Sequence, residues 1–362
     1  MARVHNFYAG PAALPLEALE AAQKELLDFA GSGVSVTETS HRSKEYEKVH
    51  RETMALIKEL MGLGEDYQVL LLQGGASLQF AMAPMNLLGP GQSADYILTG
   101  SWSQKAYKEA KIVGTAKVAA TTEENGIFRR IPRQNELKLD PQAAYCHLTS
   151  NNTIFGTQWR TFPQTGGVPL VADMSSDILS RPFDAQPFGL IYAGAQKNLG
   201  PAGLTVAIIR QDVLEKCRAG LPTMLSYKTH AEHDSLYNTP PCLAVYLCHL
   251  TLLWVKKNGG LAGMERENAA KAKLIYGAID GSGGYYRNNI PTEDRSWMNV
   301  VFRLPSEQLE EKFVKEGKAA GMVGLKGHRS VGGIRVSMYN ANRLKDVQDV
   351  VAFMKDFQAK NG

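Results

Sequence analysis

Cysteine is scarce in this chain: four in 362 residues, at positions 146, 217, 242 and 248. No two of them have the spacing of a zinc or redox motif, which excludes a disulfide scaffold and a cysteine-built metal site. Three lie in apolar surroundings, as buried reduced thiols do. Long hydrophobic runs are missing too, none approaching the roughly 18 residues that span a bilayer. The opening Met1-Ala-Arg-Val-His-Asn-Phe7 has no charged stretch followed by an apolar core, so a cytoplasmic protein is expected. Nor does one sign of charge dominate. With 40 basic and 36 acidic residues the formal net charge is +4, and no run of like charge marks a nucleic-acid or membrane footprint. His230 and His233 have no third ligand nearby and read as surface or interface residues, so no metal is expected.

What is present is length and alternation. A chain of 362 residues exceeds one average domain and can enclose a cleft between two. An extended segment with two prolines precedes amphipathic helices over 16–29 and 44–61. From Tyr67, short apolar strands at 69–72, 95–99, 116–120, 144–149, 169–172, 190–193 and 204–209 end in small or polar turns and alternate with helical stretches. That pattern predicts an α/β fold with a mainly parallel sheet covered by helices. Past Lys257 a helix over 261–280, strands near 298–304, 323–325 and 333–338, and a last helix over 343–358 predict a smaller α+β domain. The expected division is 1–15 as a segment joining the small domain, 16–256 as the large domain and 257–362 as the small one.

Ligands of such sheets gather at the carboxyl ends of the strands, which is where Ser77, Trp102, Thr153, Asp173 and Lys197 fall. In Leu190-Ile-Tyr-Ala-Gly-Ala-Gln-Lys197 an apolar run ends in small residues and presents a single lysine. Small neighbours admit a flat group, and a dehydrated ammonium has the lowered pKa a Schiff-base lysine needs. A solvated loop lysine is the competing reading of that stretch. Gln73-Gly-Gly-Ala76-Ser77, between a strand and a helix expected over 78–88, aims backbone N–H groups at one point and suits a phosphate, or is a plain glycine-capped turn. Asp173 follows a buried strand, where a carboxylate is costly without a cation or donors. It either caps the next segment or faces a protonated pyridine. Residues 225–241 read as a polar, irregular stretch in which Asn238-Thr239-Pro-Pro241 is a fixed turn with polar tips, and Lys326-Gly-His328-Arg329 with Arg335 reads as a cation cluster suited to an acidic substrate.

Together, Asn6-Phe-Tyr-Ala-Gly-Pro11, Ser40-His-Arg42, Ala172-Asp-Met-Ser-Ser176, Tyr192-Ala-Gly-Ala-Gln-Lys-Asn198, Asn238-Thr-Pro-Pro241, Lys326-Gly-His-Arg329 and Gly332-Gly-Ile-Arg335 resemble the phosphoserine aminotransferase family of fold-type I pyridoxal-phosphate enzymes, over essentially the whole chain. The resemblance implies Lys197 as the lysine that carries pyridoxal 5'-phosphate, Asp173 at the pyridine nitrogen and Trp102 on the ring face. It places Thr153 and Gln196 at polar edges of the cofactor and Ala76 and Ser77 at its phosphate. Asn238 and Thr239 would reach that phosphate from the second subunit of a homodimer. Arg335 would take the substrate α-carboxylate, and His41, Arg42, His328 and Arg329 the distal phosphate or the glutamate side chain. Position 77 is serine where other members carry arginine, and position 9 alanine where others carry serine.

The implied reaction is a ping-pong amino transfer from L-glutamate to 3-phosphohydroxypyruvate, as in serine biosynthesis. The related 3-hydroxy-4-phosphooxy-2-oxobutanoate of pyridoxine biosynthesis is a second acceptor of the same class. The rivals are a same-fold aminotransferase acting on a non-phosphorylated oxo acid such as glyoxylate, and a non-catalytic pyridoxal-phosphate-binding protein. A cysteine desulfurase is disfavoured, because no cysteine sits in an exposed glycine-rich loop.

Overall fold

The computed structural model describes residues 3–362. In chain order its elements are β1 (His5–Asn6), α1 (Leu16–Glu25), α2 (Lys44–Met61), β2 (Tyr67–Leu72), α3 (Gly75–Leu87), β3 (Ser93–Leu98), α4 (Ser101–Val113), β4 (Thr115–Thr121), β5 (Glu123–Glu124) and β6 (Ile127–Phe128). There follow β7 (Cys146–Thr149), β8 (Leu170–Asp173), β9 (Phe188–Gly194), β10 (Thr205–Arg210), α5 (Gln211–Glu215), α6 (Tyr227–Glu232) and α7 (Cys242–Lys257). The chain ends with α8 (Gly260–Asp280), β11 (Asn299–Phe302), α9 (Glu307–Ala319), β12 (Met322–Val323), β13 (Ile334–Ser337) and α10 (Leu344–Asn361).

Helix α2 shows why the local signals were readable. Ser43 Oγ accepts from Tyr46 N at 3.2 Å, and Gly62 closes the helix in the left-handed region at φ 63°. Between them Tyr46, His50, Thr53, Leu56, Ile57 and Met61 recur at three- and four-residue steps and are buried, the stripe an amphipathic helix turns to its core. The serine cap contributes about 1 kcal/mol, and burying side chains such as Ile57 about 2 kcal/mol each. The stripe packs on α7.

The central sheet has the order β2-β10-β9-β8-β7-β3-β4. All its neighbouring pairs are parallel except those of β10, which runs antiparallel to both β9 and β2. The reason is the short return Ala195–Leu204, closed by Ala195 N–H donating to Leu204 O at 3.0 Å; a parallel crossover needs a longer connection. Strands β8 and β9 are buried end to end, and their register sets Asp173 opposite Tyr192.

Several element boundaries differ from the sequence expectation. Helix α3 begins at Gly75 rather than 78, because Gly74 at φ 87° starts the helix early. Helix α1 ends at Glu25 rather than 29, giving way to a 3-10 turn over Phe29–Gly31. The stretch read as irregular between 225 and 241 contains α6, capped by Ser226 Oγ. His230 is buried, with Nε2 at 3.0 Å from Met224 O, not a surface residue.

The C-terminal elements have their own apolar core, which takes in Phe7. Strand β1 lies parallel on β12, with His5 opposite Met322. Gly324 permits this approach: it sits at φ +84°, and a Cβ there would lie 2.4 Å from Tyr8 N. Among the described residues no helix is long and apolar enough to cross a membrane.

Candidate active site

Lys197 lies just past β9. Its Nζ donates to Thr153 Oγ1 at 2.8 Å and stands 5.5 Å from the Trp102 ring centre. Burial pushes its ammonium down to about 8, with Asp173 opposing and Arg335 adding to the fall. The turn around it is crowded. A Cβ on Gly10, at φ +146°, would come within 3.3 Å of Lys197 Cγ, and Gln196 O accepts from Ala12 N at 2.9 Å.

Asp173 is buried at the end of β8. Its Oδ1 accepts from Ser175 N at 3.0 Å and Ser175 Oγ at 2.6 Å, the local turn that an aspartate makes with its own backbone. Ser175 Oγ in turn accepts from Gly194 N at 3.0 Å, tying β8 to β9. Burial pushes the Asp173 carboxyl up, while Lys197 and Ser175 pull it back. The two charged groups therefore sense each other, yet no direct ion pair joins them among the described residues. The second oxygen of Asp173 has no hydrogen-bond partner among the described residues.

Opposite this pair, the first turn of α3 presents the N–H groups of Ala76 and Ser77, which a helix leaves without internal acceptors. Gly194 keeps the approach open, since its Cβ would lie 3.6 Å from Ala76 N. Trp102 Nε1 is buried without a partner. Arg335 Nη1 donates to Thr153 O at 3.2 Å, bringing β13 against the same turn. Burial pushes its guanidinium down. His328 bonds Ser330 through Nδ1 at 2.7 Å, and burial, then Arg335, Arg329 and Lys105, push its ring pKa down. An amine of lowered pKa, a carboxylate across from it, an aromatic face and unspent helix N–H groups fit an anionic heteroaromatic aldehyde.

The family model for class-V aminotransferases matches residues 4–350. A phosphoserine aminotransferase of Herpetosiphon aurantiacus is 57% identical over 359 residues, 99% of each chain. The solved phosphoserine aminotransferase from Bacillus circulans subsp. alkalophilus superposes with a TM-score of 0.96 at 53% identity, covering 99% of each. The pyridoxal-phosphate-bound phosphoserine aminotransferase of Trichomonas vaginalis matches with a TM-score of 0.93 at 39% identity, covering 98% of this chain and 100% of that one. This chain belongs to the phosphoserine aminotransferase family.

For this aminotransferase the fold unites some expected residues and leaves others apart. Lys197, Thr153, Trp102, Asp173, Arg335 and the 328–329 loop converge, with Gln196 and Ala76 on the same rim. His41, Arg42, Asn238 and Thr239 share no hydrogen bond with that cluster among the described residues. His41 and Thr239 instead line a hollow with Pro201, Ala202 and Pro241, and Arg42 and Thr239 are exposed. Gln73 Nε2 donates to Thr239 O at 3.2 Å, so the loop stands beside the approach to α3. Sequence reasoning missed Ser175, although a serine two residues after an aspartate signals this turn. It also missed Tyr339, whose hydroxyl donates to Ala9 O at 2.7 Å; that pairing across the chain has no local signal.

Proposed function

We propose that the chain transfers the amino group of L-glutamate to 3-phosphohydroxypyruvate, giving O-phospho-L-serine and 2-oxoglutarate, with pyridoxal 5'-phosphate carried on Lys197. The observation that carries this reading is the depressed Lys197 amine, set between Thr153, Trp102 and Asp173 with Arg335 beside it, in a chain similar to phosphoserine aminotransferases along its full length.

When bound, the cofactor supplies an electron-withdrawing ring that stabilises charge developing at the substrate α-carbon. The chain's own residues do the rest. Asp173 would hold a proton on the ring nitrogen, with Ser175 fixing the carboxylate. Ala76 and Ser77 N–H would hold the phosphate, and Gln196 and Thr153 the polar edge. Trp102 would cover a ring face and exclude water. Arg335 takes the α-carboxylate, which orients the α-hydrogen toward Lys197. Freed when the substrate amine takes its place on the cofactor, Lys197 Nζ would remove the proton from glutamate Cα and, in the second half-reaction, return one to the Cα of the new amino acid. His328 and Arg329 take the distal group.

Asn238, Thr239, His41 and Arg42 are assigned to the site of a second copy in a homodimer. The support is their position outside the Lys197 cluster, where His41 and Thr239 line a hollow with the exposed apolar Leu243 of α7. The same proposal takes 16–256 as the cofactor-binding domain and 257–362, with 1–15, as the small domain, in a cytoplasmic enzyme. Mixing holoenzyme with glutamate alone should release one 2-oxoglutarate per Lys197, and adding 3-phosphohydroxypyruvate should complete the cycle faster than glyoxylate does. Full turnover by a Lys197→Ala variant would refute the assignment.

A further inference from the structure

Beside His328 and Arg329, a helix brings one more cation to the mouth of the site. Lys105 stands on α4 three residues after Trp102, a spacing that puts both on one helix face. Its Nζ lies 4.4 Å from the Trp102 ring centre, and that ring is the one 5.5 Å from Lys197 Nζ. Trp102 and Val331 pack on the same small cluster of Phe128, Ile154 and Phe155, so Lys105, on that tryptophan, borders the mouth built by the 328–335 segment; its charge is felt at His328 together with those of Arg335 and Arg329. No acid among the described residues neutralises it. The neighbouring Glu123 is engaged by Gln104 Nε2 at 2.7 Å, and the ion pairs formed elsewhere include none of Lys105, Arg329 and Arg335.

We propose that Lys105 is a specificity-determining residue for the phosphorylated substrate: parked on Trp102, its ammonium joins His328 and Arg329 in holding the distal phosphate. This rests on the transamination reading above. The charge count favours phosphate over carboxylate, because a dianion gains about twice the attraction of a monoanion from each added cation. Cation–π contact keeps the exposed ammonium near the mouth at small cost. A lysine that decorates the tryptophan would show the same contact but no bias between substrates.

Holoenzyme carrying Lys105→Met, Lys105→Arg and Lys105→Glu separates these outcomes. In Lys105→Met, KM for 3-phosphohydroxypyruvate and the competitive inhibition constant of inorganic phosphate should both rise about five- to tenfold, and KM for glutamate by less than a third as much. Lys105→Arg should stay near wild type, and Lys105→Glu should exceed Lys105→Met. A change below about twofold in the phosphate constants, or an equal rise for glutamate, overturns the assignment, the second showing action through Trp102 and the cofactor. Failure of the parent reading looks different: wild type would then show no preference for the phosphorylated acceptor.

Discussion

On the proposed assignment Lys197 has to meet an aldehyde as a neutral amine, and its surroundings fix the pH at which it can. With a pKa of about 8, about 9% of the amine is neutral at pH 7 and about 90% at pH 9, whereas an ordinary lysine at 10.5 would be about 0.03% and 3% neutral. Capture of pyridoxal phosphate by apoprotein should therefore rise about tenfold between pH 7 and pH 9 and then level off. The ordinary amine would gain about a hundredfold over that interval and keep climbing. Stopped-flow absorbance at each pH, divided by the rate constant of N-α-acetyl-lysine expressed per neutral amine at that pH, removes the reagent's own titrations and leaves those of Lys197. Asp173→Asn should move the midpoint lower, because the carboxylate's charge is what raises the ammonium against burial. A rate still climbing tenfold per unit beyond pH 9 would refute the reasoning. Stability carries the same signature. The folded pKa lies below the unfolded 10.5, so the unfolded chain binds more protons between about 8 and 10.5, and the cost of burying this amine fades as pH rises through that window.

Ser175→Ala removes the 2.6 Å donor to Asp173 and the acceptor of Gly194 N–H. It should lower apoprotein stability by about 1–3 kcal/mol in urea melts and weaken cofactor retention in equilibrium dialysis; unchanged melts and retention would dismiss Ser175 as a positioning residue. Mixing Lys197→Ala subunits with Asn238→Ala/Thr239→Ala subunits should restore about a quarter of wild-type activity per site, since half of randomly paired dimers are hybrids with one intact site. Activity no higher than the average of the separate variants would mean that each chain completes its own site.

Legibility in the sequence followed the range of the interactions. Lys197, Asp173 and Thr153 were visible because each ends a short apolar strand, and the carboxyl edge of a parallel sheet collects ligands whatever lies elsewhere. Helix α2 was found to the residue because its cap and its left-handed glycine are local. Helix α3 was begun three residues late, since Gly75 argues against helix by propensity and only the tertiary setting overrides it. The antiparallel β10 and the burial of His230 depend on neighbours far along the chain. So does the contact between Arg335 and Thr153, and Lys105 escaped notice because nothing in its local sequence sets it apart from other helix-face lysines.

The site lies between two apolar cores, and apolar faces alone tolerate sliding because their attraction is non-directional. Directional bonds set the register here. Asn198, next to Lys197, donates through Nδ2 to Ile178 O at 2.6 Å and accepts from Asn340 N at 2.9 Å. Asn340 Nδ2 donates to Leu179 O at 2.8 Å, and Asn268 Nδ2 reaches both Ser180 O and Asn340 Oδ1. The turn that holds Asn340 follows β13, the strand of Arg335, and Lys271 Nζ gathers its carbonyls at Met338, Tyr339 and Asn342 at 3.1, 2.8 and 2.8 Å. Burial pushes that ammonium down to about 7, yet three acceptors match its three donors. Because each of these groups is buried, slippage of one unit against the other would strand several of them at once, at roughly 1–3 kcal/mol apiece. The spacing between Arg335 and Lys197, on which the proposed orientation of substrate depends, is therefore held by buried polar groups rather than by the fit of the two cores.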